Sequence, residues 1–451
     1  MRLTRRSVVL GIPAFTLACS GSTAKESGDS AESAPPPTPE REPEPAAWDP
    51  GGTEDPVAFG WGVQSGDAGS DRVILSLRCV ESTATLVVVE AQGQTWVEVQ
   101  RQEVSRTDET WQGLITGLKA DTAYRYVYFA ADGEQRSRVG RFRTAPEPGV
   151  RRKLVIGATS CLGGNEPWAN LSFAADAQLD VMLMLGDVVY ADGAETLEDY
   201  RSFYRHAFGV KGLQDVSAST SMIATWDDHE VGNNWTRDDL AEGQFEAALQ
   251  AFRESMPQGQ GAQGQIWRLL SFGDMVDFFV LDCRSERTET LYISVEQMEW
   301  LKASLSASSA RFKLILNSVP INDYTDMFGI AYADDRWQGY PEQRREILDF
   351  VADNAIGGVL WVAGDVHHGM ICHPDAPGEG SGDSQWEVAA GPSGSTLNVA
   401  AELYTDTTGH YPVLFAKWNY TRLTMDPGTG SCLVSFIGDD GLVIEEMELF
   451  L

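Results

Sequence analysis

The tetrad Asp227-Asp228-His229-Glu230, followed closely by Asn233-Asn234, closes an apolar run that begins at Met222. Three carboxylates and an imidazole gathered at one strand end repel one another unless a cation sits among them. The plainer reading is an acidic surface loop with a solvated histidine. That reading weakens because the pattern recurs.

Four other apolar runs end in groups able to do chemistry. Leu154 to Ser160 leads to the thiol of Cys161. Val181 to Gly186 leads to Asp187, with Tyr190 three residues on. Met275 to Leu281 leads to Asp282, Cys283 and Arg284. Val359 to Gly364 leads to Asp365, then Val366, His367 and His368. Short apolar runs bounded by glycine and polar residues read as buried strands, and helical segments lie between them, so an α/β sheet is expected. Ligands of such sheets bind beyond the carboxyl ends of the strands, where all of these groups would converge.

Two metal ions about 4 Å apart, bridged by a carboxylate, suit in-line attack of a metal-activated hydroxide on phosphorus. Asp187 is the natural bridge. Cys161, Tyr190 and His367 offer thiolate, phenolate and imidazole, a set that favours a transition metal such as ferric iron. Asp228 and Asp365 offer oxygens that suit calcium, magnesium or manganese. His229 is placed to protonate a leaving group, while Asn233, Asn234 and Arg284 are candidates to hold phosphate oxygens.

The elements that must position these groups are legible. Helices are expected from Thr196 to His206, from Phe245 to Met256, from a capping box at Ser294-Val295-Glu296-Gln297 to about Ala307, and from Glu342 to Asn354 behind Pro341. Gly-rich stretches at 258–265 and 377–385 read as mobile surface loops. Residues 49–146 read as a separate all-β sandwich, with strands at Val73–Leu77, Ala84–Glu90, Trp96–Gln100 and Tyr124–Phe129. The segment from Gly117 to Tyr126 resembles the tyrosine corner of fibronectin type III or immunoglobulin-like modules. The catalytic domain is expected over 150–451.

With 451 residues, a net charge of −32 and 43% hydrophobic residues, the chain is large enough for two domains. It is too acidic to favour nucleic acid or an anionic membrane surface as partner. The N-terminus, residues 1–19, reads as an export signal: Arg5-Arg6 precedes a short apolar segment and resembles a twin-arginine signal. Leu17-Ala18-Cys19 resembles a lipoprotein cleavage box, with Thr16 where an aliphatic residue is usual. Residues 20–48, rich in Pro, Ser and Glu, read as a disordered tether to a lipid anchor at Cys19. Cys79, Cys283, Cys372 and Cys432 are left without a role, and no pairing among them is assigned.

Five motifs occur in order: Thr159-Ser160-Cys161, Gly186-Asp187-x-x-Tyr190, Trp226-Asp227-Asp228-His229-Glu230 with Asn233-Asn234, Leu281-Asp282-Cys283-Arg284 and Gly364-Asp365-Val366-His367. Together they resemble the alkaline phosphatase D (PhoD-like) family of metallophosphatases over roughly residues 55–440. The resemblance implies a calcineurin-like αββα core behind the β-sandwich. It implies iron held by Cys161, Asp187, Tyr190 and His367, and calcium held by Asp187, Asp228 and Asp365, with an asparagine from Asn233 or Asn234. It places His229 where related enzymes keep a catalytic histidine.

His368 and Cys283 stand where the family more often has a small and a hydroxyl residue. Asp227 is left open, either a ligand or a hydrogen-bond partner of one. The expected function is an exported phosphoesterase, active at alkaline pH on phosphomonoesters and also on diesters. The alternatives are a phosphodiesterase or phospholipase D-like enzyme on the same scaffold, and a non-catalytic surface lipoprotein. A purple acid phosphatase-type enzyme is a third, against which Cys161 speaks.

Overall fold

Two sheets pack face to face in the computed structural model, which describes residues 39, 41, 43–329 and 333–451. The signal reading of residues 1–19, the acylation of Cys19 and most of the tether lie outside the described residues. Where the tether is described, its end is tied down. Glu44 pairs with Arg125 at 2.7 Å, the Ala46 carbonyl accepts from the Trp96 indole, and the Pro39 carbonyl accepts from the Lys153 amide. The described end of the expected tether is therefore held against the folded chain.

One sheet has nine strands. Its centre is the parallel trio Leu154–Thr159, Val181–Leu185 and Ser221–Thr225. On one side it continues antiparallel through Asn419–Asp426, Ser431–Gly438 and Val443–Phe450. The other sheet has seven strands, with Val276–Val280, Phe312–Asn317, Val359–Ala363 and Trp386–Ala389 running parallel.

Strand alternation explains the layers. Leu154, Ile156, Leu183 and Leu185 from one sheet meet Phe278, Val280, Leu314, Leu360 and Val362 from the other in a shared core. The opposite faces are buried too. Met182, Met184, Met222 and Ala224 pack under the helices Ala169–Asp176, Leu197–Ala207 and Gln244–Ser255. Phe279, Ile315 and Trp361 pack under Val295–Ala307 and Pro341–Asp353. With both faces covered, the strands read as continuous apolar runs, and the result is the expected helix–sheet–sheet–helix stack.

The β-rich N-terminal region departs from expectation in one respect. Its strands Thr83–Gln92, Ala123–Phe129 and Gly140–Arg143 do form a sheet that packs on Val63–Gly66 and Arg72–Arg78. The Tyr124 hydroxyl accepts from the Lys119 amide at 2.8 Å, which is the contact that defines a tyrosine corner. The second sheet, however, is not separate. Ser65 lies opposite Ser221 and Gly66 opposite Met222, in parallel. Thus Val63–Gly66, Arg72–Arg78 and Thr110–Thr116 complete the nine-stranded sheet, and residues 37–451 form one unit. A buried two-pronged ion pair, Arg268 to Asp67 at 2.8 Å, fastens the junction.

The capping box is half present. Ser294 Oγ accepts the Gln297 amide, but the Gln297 side chain turns to the Asp282 backbone, accepting its N–H and donating to its C=O. The glutamine thus fixes the loop after Val276–Val280 instead of closing the cap. The stretch 377–385 is also more ordered than expected: it contains a single 3₁₀ turn, Ser381–Ser384, with Asp375 accepting from the Gly382 amide.

Candidate metal centre

Every strand that carries a candidate group delivers it just beyond its carboxyl end. Cys161 follows Leu154–Thr159, Asp187 follows Val181–Leu185, Asp227 and Asp228 follow Ser221–Thr225, and Asp365 follows Val359–Ala363. The backbone turns sharply there. Cys161, Asp187, Asp365 and His367 all have positive φ, between 54° and 64°. For residues with a Cβ this conformation costs on the order of 1–3 kcal/mol each, and such strain concentrates at functional sites.

Two glycines let the turns approach. Gly186 has φ +90°, and a Cβ there would lie 2.4 Å from the Asp227 Cβ. A Cβ on Gly364 would lie 2.8 Å from the Leu185 carbonyl, across the two sheets.

Three donor sets result, each with ligand atoms within 4.8 Å of one another. The first is Cys161, Asp187 and His367; the second is Asp187, Asp228 and His229; the third is Asp227, Asp228 and Asp365. Asp187 belongs to two sets, and so does Asp228. Tyr190 joins the first set, its hydroxyl 3.4 Å from Asp187 Oδ2 and 3.3 Å from His367 Nε2. His367 also hydrogen-bonds the Thr396 backbone, which orients the ring. His368 points elsewhere. It is buried against Tyr324, and burial pushes its pKa down to about 3.

The donors fit cations. Asp187 Oδ1, Asp228 Oδ1 and Asp227 Oδ2 are buried and find no hydrogen-bond partner among the described residues. Burial, reinforced by Asp228 and Asp227, drives the Asp187 carboxyl far above its usual range. Burial likewise lifts Asp227 and Asp365 to about 7, and raises the Cys161 thiol and the Tyr190 phenol well above their ordinary values. Only nearby positive charge makes such a set ionise together at neutral pH. A thiol, a phenol, an imidazole and a carboxylate suit a transition metal, and the all-oxygen set suits a harder cation.

Arg284 departs from expectation. Its side chain is wholly buried, donating to Asp227 Oδ1 at 2.6 Å and to Asp335 Oδ1 at 2.6 Å, with Asp228 at 3.6 Å and Asp365 at 3.8 Å. Nε and Nη1 are taken, so the buried guanidinium neutralises carboxylates from within, while Nη2 faces Asp228 and Asp365 and has no hydrogen-bond partner among the described residues. Asp227 is correspondingly shared: Oδ1 accepts from Arg284 and from Ser318, which leaves only Oδ2 toward the donor set. Asn233 is exposed, and its amide donates to Asp192; the Asn234 amide donates to Asp228 Oδ2 at 2.6 Å.

Four contributors escaped the sequence reading. Glu230 accepts from the amides of Asp187, Val188 and Asp227 at 2.7 to 2.9 Å, clamping two ligand loops together. Asp192 accepts from His229 Nδ1 at 2.9 Å. Asp335 takes both Arg284 and Arg287. Arg336 lies 3.9 Å from Asp365. Glu230 was legible as a surplus carboxylate in the tetrad, and Asp192 as the acid two residues after Tyr190; the other two come from a segment with no motif. All five described cysteines are free thiols, Cys283 donating to Asn317 in the core.

Comparisons with known proteins agree with this geometry. A family model described as PhoD-like phosphatase matches residues 156–418, and one for the PhoD-like phosphatase N-terminal domain matches residues 46–146. Alkaline phosphatase D of Bacillus subtilis (strain 168) is 26% identical over 306 residues, 56% of this chain and 52% of that protein. The chain thus spans about half the length of this curated relative.

Among solved structures, one of PhoD superposes with a TM-score of 0.74 at 22% identity, covering 89% of this chain and 90% of the other. The purple acid phosphatase PPD1 of yellow lupin (Lupinus luteus) gives 0.63 at 12% identity, covering 86% and 73%. At these identities the structural likeness speaks for the fold alone. By the extent of the family match, the chain belongs to the PhoD-like phosphatases.

Proposed function

We propose that this protein is a metal-dependent phosphoesterase of alkaline phosphatase type that hydrolyses phosphomonoesters, with diesters as a second class. One observation carries the reading: Asp187 is shared between two adjoining donor sets whose buried oxygens lack partners. The first set, with Tyr190, would hold iron; Asp187 and Asp228 of the second set, with Asp365 of the third, would hold calcium or another divalent ion, as the family resemblance implies. When bound, the cations supply the positive charge that polarises a phosphoryl oxygen and acidifies water.

The chain's own residues supply the rest. His229, anchored by Asp192, is suited to protonate the departing oxygen. Burial depresses its pKa, but Asp228 and Asp192 outweigh this and leave it raised, so the proton is retained to higher pH than on an ordinary imidazole. Tyr190 packs on the His229 ring with centroids 4.1 Å apart and fixes its plane. Asn233, exposed beside Asp192, is free to meet phosphate oxygens.

A non-catalytic lipoprotein would have no reason to keep every donor type together with the strained turns that aim them. Export by the twin-arginine route, a lipid anchor at Cys19 and a fibronectin III-like identity for the N-terminal sandwich remain part of the proposal. They rest on Arg5-Arg6, on Leu17-Ala18-Cys19 and on the tyrosine corner. Hydrolysis of paired chromogenic monoester and diester substrates at alkaline pH, on protein purified without chelator and supplied with calcium, tests the reading. Turnover is expected on the monoester, and none on either substrate by metal-loaded protein would overturn it.

A further inference from the structure

A cleft of about 390 Å³ opens beside the first donor set, with Tyr190 and His367 in its wall. Its remaining walls are mostly apolar: Trp168, Val188, Val189, Phe203 and Ala207. They come from the loop after Leu154–Thr159 and the loop after Val181–Leu185, both of which carry donors, and from the helix Leu197–Ala207. The cleft is therefore continuous with the place where phosphorus would react.

Its charges are few. Among the described residues no lysine or arginine lines it, and the titratable side chains besides Tyr190 and His367 are Glu166 and His206, exposed and 2.6 Å apart. The larger cavity lined by Asp323, Arg344 and Asp375 contains no residue of any donor set.

We propose that this cleft receives the organic group of the substrate, and that the enzyme selects phosphate esters whose organic group is uncharged and apolar, alkyl or aryl. The proposal rests on the phosphoesterase reading and deepens it. A nucleotide or a sugar phosphate would bring further anionic or polar groups to walls that offer no cation and few donors, against Glu166 and a net charge of −32. An alkyl chain loses only water there.

Binding of n-alkylphosphonates, ethyl to hexyl, to the metal-loaded protein by calorimetry tests this without requiring turnover. Affinity is expected to rise about fourfold per added methylene, the gain from burying one such group. A hexyl chain ending in a carboxylate should bind at least tenfold more weakly than its plain counterpart. Gly164 lines the mouth, and a Cβ there would meet nothing within 4 Å. Gly164→Trp should cap the gain at short chains, so that affinity stops rising beyond the shortest members of the series. Phe203→Ser, on the helix and outside the donor sets, should flatten the slope.

Affinity independent of chain length in the native protein, or an undiminished slope in both variants, would overturn the proposal. Turnover of ethyl phosphate in the same preparation is a separate readout. Its absence would count against the phosphoesterase reading, while the binding slope would still decide the cleft's role.

Discussion

Asp192 holds His229 Nδ1 at 2.9 Å and, with the same oxygen, accepts the Asn233 amide at 2.7 Å. One exposed carboxylate thus fixes both the ring and the loop carrying the asparagine. The pair makes His229 a positioned acid, with Nε2 left for chemistry.

Replacing Asp192 by Asn should lower kcat about 10- to 100-fold with little change in KM, the usual cost of losing an orienting partner. Because Asp192 helps raise the His229 pKa, the alkaline limb of the rate profile should move to lower pH. A profile with an unmoved alkaline limb would remove His229 from the proton-donor role.

Cys161→Ser should strip transition metal from the first donor set. The retained metal, measured by elemental analysis after purification without chelator, should fall by at least about tenfold. Full retention of the metal with normal turnover would show that the thiol is not a ligand.

Arg284→Met should destabilise the protein by about 3–5 kcal/mol, since it leaves Asp227 buried without its cation and Asp335 with Arg287 alone. The loss would be read as a lowered urea midpoint. A variant that keeps its stability but binds phosphate poorly would instead restore the expectation that Arg284 faces substrate.

Metal-free protein should lose stability as pH rises from about 4 to about 7. Burial lifts the Asp227 and Asp365 pKa values from 3.8 to about 7, so the folded state binds these protons more tightly than the unfolded chain. Their contribution is fully present below pH 4 and is lost as pH rises through about 7. Bound cations take the protons' place, so metal-loaded protein should show no such fall. Thermal melts with and without chelator across this range would read the difference. Parallel curves would mean that the carboxylates are already compensated by the chain.

The site was more legible than the assembly around it. Asp187, Asp228, Asp365, His367 and Cys161 each end a buried strand, and an apolar run that stops at a donor is visible residue by residue. The roles of Arg284 and Asp335 were not, because residues 51 apart in sequence meet only through the packing of two loops. The same limit hid the pairing of Ser65 with Ser221: a four-residue strand has no periodicity that says which sheet it will join. Helix ends at Thr196 and Pro341 were readable because capping is local, whereas Gln297 left its cap for a partner 15 residues away.

The most direct test is the turnover of a chromogenic phosphomonoester by metal-loaded native protein beside Asp187→Asn. The account predicts clear alkaline activity in the native protein and a loss of about 1,000-fold or more in the variant, together with displaced metal, because both donor sets share that carboxylate. Equal activity in the two proteins would contradict a shared centre at Asp187.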